Sequence, residues 1–168
     1  MKILVLSDSH SGLSFMRYCI GKVRPEHVIH LGDFYEDATA MAQEYPHIRF
    51  HQVPGNCDSF ASRTAPGYMC YPIGGVKLFM THGHHHGVKS DTCRLVEAAY
   101  EAGAAAALFG HTHEPLCDRD ENGLLVMNPG TCRSYSGTAG IIEVEDEKIV
   151  RCGITNYEKL ESCDGQNE

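Results

Sequence analysis

The chain opens with the stretch Lys2-Ile3-Leu4-Val5-Leu6-Ser7-Asp8-Ser9-His10, an apolar run that ends in an acid and an imidazole. A continuous apolar run of this kind is typical of a strand that is buried on both faces, as the strands of parallel sheets are. Asp8 and His10 stand where such a strand passes into a loop. In an open α/β sheet, ligands bind beyond the carboxyl ends of the strands. The stretch therefore predicts a central strand of an α/β domain with two candidate ligand side chains at its end.

Four further segments repeat this arrangement of an apolar run followed by a polar motif. They are Gly32-Asp33, Gly55-Asn56-Cys57-Asp58, Thr81-His82-Gly83-His84 and Gly110-His111-Thr112-His113. Carboxylate, imidazole and carboxamide groups together suit first-row divalent metals. One such short motif often occurs by chance, but five of them at successive strand ends predict a metal site on one rim of the domain.

The periodicity of the chain predicts a layered α/β architecture. Apolar residues at helical spacing predict helices over residues 16–23 and 38–45, and Pro25 and Pro46 end them. A third helix is expected between an N-cap at Ser90 and a stop at Gly103, and Gly74-Gly75 predicts a hairpin turn. Strands are expected at residues 2–7, 27–31, 48–53, 68–73, 76–80, 105–109, 116–119, 124–127, 141–144 and 148–152.

Length and composition indicate one globular domain. The chain has 168 residues, of which 42% are hydrophobic and 21% are charged, as in ordinary globular proteins. The β-α-β-α-β order at the start of the chain predicts parallel pairing there, and short alternating strands follow residue 110. We expect a single domain over residues 1–157 and a polar C-terminal tail over residues 158–168.

Charge and hydropathy exclude some classes of partner. Fourteen basic and twenty-two acidic residues give a net charge of −8, which argues against binding to nucleic acid or an anionic membrane surface. No segment approaches the roughly 20 apolar residues needed to cross a bilayer, and Asp8 ends the first apolar run too early for a secretion signal. We therefore expect a cytoplasmic protein. Its eight cysteines include no CxxC pair, which predicts free and mostly buried thiols.

The five motifs, in this order, resemble those of the calcineurin-like metallophosphoesterase superfamily. The short chain, the Gly-Asn-Cys-Asp form at Gly55–Asp58 and the turn Asn128-Pro129-Gly130-Thr131 resemble its small bacterial and archaeal phosphodiesterases. The likeness runs from Lys2 to about Tyr157. It implies an α/β (by some schemes α+β) four-layer α-β-β-α sandwich, the metallophosphoesterase fold.

The resemblance also implies seven ligands for two divalent cations. Asp8, His10 and His113 would hold one metal, Asn56, His82 and His111 would hold the other, and Asp33 would bridge them. A water between two cations loses a proton near neutral pH and can attack a phosphate ester in line. The ligand set accommodates Mn, Fe, Co, Ni or Zn, and the resemblance favours Mn.

One position departs from the wider superfamily. In many members the metal-binding Asn is followed by a histidine that acts as a general acid and protonates the leaving group. In this chain Cys57 occupies that position. A thiol is a less suitable general acid than an imidazole, so His84 is the candidate acid and Cys57 the weaker alternative. The alternative interpretation of His84 is that it is a solvated loop residue without a catalytic role. The favoured interpretation of Cys57 is that it is a small packed side chain. Asp58 is expected to orient a neighbouring ligand, and Arg133 either meets a phosphate oxygen or lies on the surface.

The sequence therefore predicts a metal-dependent phosphodiesterase that acts on a small phosphoester, with a homodimer possible. A phosphomonoesterase of the same fold is the nearest alternative. A protein-interaction scaffold is an alternative of another class, because a trafficking-complex subunit has a similar fold without the full catalytic set. A redox sensor at Cys57 is a third and weaker interpretation.

Overall fold

Two five-stranded mixed sheets pack face to face in the computed structural model, which describes residues 1–162. The strands are β1 Lys2–Leu6, β2 His27–His30, β3 Arg49–Gln52, β4 Tyr68–Ile73, β5 Val76–Thr81, β6 Ala106–Leu108, β7 Leu116–Arg119, β8 Leu125–Asn128, β9 Thr138–Glu145 and β10 Lys148–Asn156. The helices are α1 Leu13–Val23, α2 Tyr35–Glu44, α3 Ala61–Thr64, α4 Cys93–Glu101 and α5 Tyr157–Ser162. A short 3-10 turn covers His84–His86.

The pairing places the predicted parallel strands side by side. The first sheet has the order β10-β9-β1-β2-β3 and the second has the order β4-β5-β6-β8-β7. β1 pairs parallel with β2, and β2 pairs parallel with β3, whereas β9 runs antiparallel to β1. In the second sheet β6 pairs parallel with both β5 and β8. The carboxyl ends of parallel neighbours share one edge of their sheet, and the polar motifs follow these strands.

Alternation along β1 shows how the layers are held together. Ile3 and Val5 are buried in the apolar layer between the two sheets, whereas Leu4 and Leu6 pack against the first helices. A third apolar cluster joins α4 to the outer face of the second sheet through Leu95. Helix, sheet, sheet and helix therefore follow one another, which confirms the predicted four-layer sandwich.

Several predicted boundaries need correction. The N-cap of α4 is Thr92 and not Ser90, because the Ser90 N–H donates to the Gly87 carbonyl of the preceding turn. Gly103 does follow this helix, with a φ of +65° that suits glycine. β9 and β10 are longer than predicted, because the added residues pair with each other, as Gly140 does with Ile154 and Thr138 with Asn156.

The sequence pattern did not predict α5. This helix covers residues 157–162, where a polar tail was expected, and only Leu160 in it is buried. Tyr157 stacks on Tyr18 of α1 with ring centroids 4.4 Å apart, so contacts distant in sequence hold the segment. Residues 163–168, which include Cys163 and the rest of the expected tail, lie outside the described residues.

The cysteines and helices bear on two further expectations. No disulfide joins the cysteines among residues 1–162. Cys19 and Cys132 are buried, but Cys57 and Cys93 are exposed, so the expectation of mostly buried thiols is only partly right. Within the described residues, no helix combines the length and the hydropathy that a membrane span requires.

A chain of three polar side chains links the sheets at their β3 and β4 edges. His27 Nδ1 lies 2.9 Å from His51 Nε2, and His51 Nδ1 lies 2.6 Å from the Tyr71 hydroxyl. Burial, with the charges of His27 and Arg49, lowers the pKa of His51 to about 4. Burial also lowers the pKa of His27. Both imidazoles are therefore neutral at pH 7 and available for this chain of hydrogen bonds.

These shifts predict that the metal-free protein loses stability in mild acid. At pH values above about 6.5 the imidazoles are neutral in both the folded and the unfolded chain. As the pH falls towards 4, the unfolded chain takes up protons that the folded chain refuses, so the free energy of unfolding decreases. Urea unfolding with a chelator at pH 7.5 and pH 5 should show this loss, and His51→Gln should reduce it. The exposed His47→Gln is the control; an equal loss in His51→Gln would contradict the assignment.

Candidate metal centre

The loops after β1, β2, β3, β5 and β6 bring all seven predicted ligands to one rim. Four of them form one cluster, in which one ligand atom from each lies within 4.8 Å of the others: Asp8, His10, Asp33 and His113. Within it, His113 Nε2 is 3.0 Å from Asp8 Oδ1, and His10 Nε2 is 3.8 Å from Asp33 Oδ2. Three to four ångströms is the separation expected of donors that share one cation.

A second group of donors lies beside the first. His82 Nε2 is 3.0 Å from Asn56 Oδ1 and 3.5 Å from Asp33 Oδ1. The His82 and His111 rings lie 5.0 Å apart between centroids, at 64° to each other. Asn56, His82 and His111 are the residues that the sequence resemblance assigns to a second metal.

The carboxylate of Asp33 stands between the two groups. Its Oδ2 faces His10, and its Oδ1 faces His82. Burial raises the pKa of Asp33, but the Cys57 N–H at 2.9 Å and the neighbouring imidazoles outweigh it and hold the pKa below its ordinary value. Asp33 is therefore ionised at neutral pH and presents one oxygen to each group.

Asp8 supplies the direct test of whether the site fits a metal. Its Oδ2 accepts hydrogen bonds from Ser7 Oγ at 2.5 Å and from the His111 N–H at 3.0 Å. Its Oδ1 is buried and accepts no hydrogen bond from the described residues, although His113 Nε2 is near. An unsatisfied buried carboxylate oxygen is costly, and a cation bound here would satisfy it. The donor set therefore fits a first-row divalent metal.

His82 is held in the form that a metal ligand needs. The side chain is fully buried, and Nδ1 lies 2.7 Å from the Leu31 carbonyl, to which it donates. This hydrogen bond fixes the proton on Nδ1 and leaves the lone pair of Nε2 directed to Asn56 and Asp33.

Five of the seven predicted ligands have a left-handed backbone, with φ between +42° and +69°: Asp8, His10, Asp33, His111 and His113. Residues other than glycine rarely adopt this region, and they remain there only when the surrounding structure fixes them. Such strain collects at functional sites. It supports a binding role for these side chains, because packing alone does not require strained loops.

Asp58 fastens two of the ligand loops together. Its Oδ1 accepts the N–H groups of Phe34 and Tyr35, at 2.8 and 2.9 Å, and its Oδ2 accepts the Gly55 N–H at 2.7 Å. A Cβ at Gly55 would overlap the Asp33 side chain, so only glycine allows this approach. Asp58 thus orients the loop that carries Asp33, through backbone groups and not through a ligand side chain.

The turn Asn128–Thr131 supports the site from the second sheet. Asn128 Nδ2 donates to the Gly110 carbonyl and to Thr112 Oγ1, both at 2.9 Å. Thr131 Oγ1 donates to the Asp8 carbonyl at 2.8 Å. The turn therefore joins the loop after β6 to the loop after β1, which explains its place among the motifs.

Sequence reasoning missed a buried network below the site. His30 is fully buried, accepts the Gly32 N–H at Nδ1, and lies 3.1 Å from Ser9 Oγ at Nε2. Ser9 Oγ donates in turn to Asp37 Oδ2 at 2.7 Å. Burial lowers the pKa of His30 to about 4, so it is a neutral link between two ligand loops. The sequence signal that could have indicated this network is His30 itself, a polar residue at the end of the apolar strand His27-Val28-Ile29-His30.

The two candidate acids, His84 and Cys57, lie in different surroundings. His84 is near it, with ring centroids 5.3 Å from His82 and 6.1 Å from His111. Its Nδ1 is buried without a hydrogen-bond partner among the described residues, and burial with the neighbouring imidazoles lowers its pKa to about 4. Cys57 is exposed, contrary to the packed position favoured from sequence, and burial of its thiol with the nearby Asp33 raises its pKa. Arg133 is exposed.

Sequence comparison relates this chain to known phosphoesterases. Residues 1–147 match the calcineurin-like phosphoesterase superfamily domain. The probable metallophosphoesterase YsnB of Bacillus subtilis is 34% identical, over 79% of this chain and 76% of that protein. Phosphodiesterase MJ0936 of Methanocaldococcus jannaschii is 29% identical, over 88% of this chain and 96% of that protein.

Two solved structures share the fold. A predicted phosphoesterase from Streptococcus pneumoniae has a TM-score of 0.74 at 23% identity, over 94% of this chain and 90% of that chain. Vacuolar protein sorting 29 from Cryptosporidium parvum has a TM-score of 0.69 at 18% identity, over 92% of this chain and 96% of that chain. At these identities the likeness shows the fold alone, and it confirms the metallophosphoesterase fold.

The geometry predicts different metal losses for two substitutions of the same kind. Asp33→Asn should weaken both metals at once, because Asp33 alone faces both groups, whereas Asp8→Asn should mainly empty one position. Metal content after incubation with Mn²⁺ and desalting measures this directly. Asp118→Asn, on exposed β7, is the control. Two full metals in Asp33→Asn would contradict the bridge.

Proposed function

The chain belongs to the calcineurin-like phosphoesterase superfamily, and from this premise we propose that it is a phosphodiesterase that works with two divalent cations. The observation that carries the proposal is the position of Asp33, whose two oxygens face two separate groups of donors. The buried and unsatisfied Asp8 Oδ1 supports metal binding in the first group. Its relative MJ0936 is named a phosphodiesterase and matches over 96% of its length.

Each part of the site has a role in this reaction. When bound, two cations supply the positive charge that polarises a phosphate ester and acidifies an attacking water. Asp33 fixes the spacing of the two positions, and the Leu31 carbonyl keeps His82 in the tautomer that directs Nε2 inward. Asn56 would coordinate a cation through its carbonyl oxygen, which adds no negative charge, so the site would stay favourable to an anionic ester. The Asp58 and Asn128 contacts hold the loops that carry these groups.

A diester is the proposed substrate class because the rim is open. Asn56, Cys57 and His113 are all exposed in the structure, which leaves room for an ester with substituents on both sides of the phosphorus. The substrate is proposed to be a small phosphoester in the cytoplasm, and Mn²⁺ is the proposed metal. Imidazole and carboxylate donors accept Mn, Fe, Co, Ni and Zn alike, so the choice of Mn rests on the family.

The test is hydrolysis of bis(p-nitrophenyl) phosphate by the Mn²⁺-loaded protein. We expect turnover that a chelator abolishes and Mn²⁺ restores, and a higher kcat/KM than for p-nitrophenyl phosphate. A higher value for the monoester would point to a phosphomonoesterase. Absence of turnover on both esters, with two metals bound, would contradict the proposal.

The alternative hypothesis is that the protein is a protein-interaction scaffold and not an enzyme. The backbone of the site argues against it. Left-handed φ values at five ligand positions and an unsatisfied buried oxygen on Asp8 are unfavourable features that a scaffold does not need. Near-zero Mn²⁺ and Zn²⁺ content after incubation would favour the scaffold.

His84 is proposed to protonate the leaving alkoxide. Its neutral imidazole lies beside the second group, and a phosphate anion bound next to it would raise its pKa towards neutrality. Protonation matters for a poor leaving group, whereas p-nitrophenolate leaves without help. His84→Ala should therefore lower kcat on an alkyl diester by a factor on the order of 10²–10⁴, and it should change the aryl diester and the metal content little.

Cys57→Ser is the matched control for that experiment, because Cys57 occupies the position of the missing histidine. It should be nearly silent on both esters. A selective loss on the alkyl diester in Cys57→Ser, with His84→Ala unaffected, would assign the role to the thiol. Loss of metal in His84→Ala would make His84 a ligand.

A further inference from the structure

Phe34 is an aromatic side chain in an unfavourable place. It follows the proposed bridging ligand Asp33 directly, and 40% of its surface is exposed. Its φ is +70°, in the left-handed region, where a bulky residue is an outlier. Solvent exposure and backbone strain both disfavour a phenylalanine at this position.

Contacts of its backbone and of its ring position Phe34 at the rim of the candidate metal centre. Asp58 Oδ1 accepts the Phe34 N–H at 2.8 Å and the next N–H, of Tyr35, at 2.9 Å. The Phe34 ring stands edge-on to His10, with centroids 5.0 Å apart and planes at 68°. His10 belongs to the first group of donors, so the Phe34 ring lies beside the candidate metal centre.

We propose that Phe34 recognises a planar aromatic substituent on the phosphodiester, such as an aryl group or a nucleobase. This inference rests on the proposed function and names the substrate class of that site. Asp58 fixes the Phe34 backbone, and the edge contact with His10 restricts the ring, so stacking on the exposed part of the ring requires little rearrangement. Aromatic pairs add roughly 0.5–1.5 kcal/mol to the burial of their surface, which corresponds to about 2- to 10-fold in affinity.

Three diesters with the same leaving group test the proposal: the p-nitrophenyl esters of ethyl phosphate, phenyl phosphate and thymidine 5′-phosphate. The wild-type protein with Mn²⁺ should show a higher kcat/KM for the phenyl and thymidine esters than for the ethyl ester. Phe34→Asn should reduce that preference about 2- to 10-fold. Loss for thymidine alone would identify the nucleobase as the recognised ring, and loss for phenyl alone an aryl group. An unchanged preference would overturn the proposal.

Thermal unfolding separates recognition from a structural role. Asparagine tolerates the left-handed region better than phenylalanine, so Phe34→Asn should keep or raise the unfolding temperature while it weakens the aromatic preference. A lower unfolding temperature with an equal loss on all three esters would mean that the ring serves the fold, and this would also overturn the proposal.

Phe60→Asn is the matched control. Phe60 is the same residue type, is 76% exposed, and follows Asp58 by two positions, but it has an ordinary φ of −78°. An equal loss of preference in Phe60→Asn would contradict a specific role for Phe34.

Binding without turnover keeps this test independent of the proposed reaction. Calorimetry on the Mn²⁺-loaded protein should give phenylphosphonate a lower Kd than methylphosphonate, and Phe34→Asn should remove the difference. If the wild-type protein hydrolyses none of the three esters but keeps this difference, the proposed function fails and the recognition by Phe34 stands. Equal Kd values for the two phosphonates in the wild-type protein would contradict recognition by Phe34.

Discussion

The carboxylate of Asp33 is the element on which the geometry of the site depends. One oxygen faces His10 and the other faces His82, so a single side chain sets the distance between two groups of donors, each of which draws side chains from loops of both sheets. Its own position depends on the Cys57 N–H and on the close approach of Gly55. Movement of this residue would disturb both groups, whereas each of the other ligands belongs to one.

The loops hold these side chains in place at the expense of local stability. Left-handed residues, which cost free energy individually, occur at five of the proposed ligands. Hydrogen bonds that Ser7 and Asn128 donate and that Asp58 accepts keep the loops there. Parallel strands packed in apolar layers provide the rigid support. The unsatisfied oxygen of Asp8 then gives the folded chain a further interaction to gain from a cation, so metal binding is expected to stabilise the fold.

The sequence predicted the features that depend on short-range pattern. Apolar runs and turn residues predicted the central strands and their parallel order, and the motifs after strand ends predicted a metal site on one rim. The family resemblance, and not the pattern alone, implied the four layers and the seven candidate ligands that the structure brings together. The sequence did not predict α5, because only Leu160 of that helix contributes to the core and its contacts with α1 are distant in sequence. The sequence also did not predict the hydrogen bonds of His30 or the strained backbone of Phe34, since both arise from contacts between loops. Cys57 was expected to be packed but is exposed, because the sequence of a loop does not determine whether a small side chain in it points to the core or to solvent.

Diffraction from a Mn²⁺-loaded crystal, measured at the manganese absorption edge, tests the central claim most directly. The account predicts two anomalous peaks about 3.5–4 Å apart. One should lie among Asp8, His10 and His113, the other among Asn56, His82 and His111, with one oxygen of Asp33 directed to each. A single peak at saturating Mn²⁺, or two peaks of which only one contacts Asp33, would contradict it.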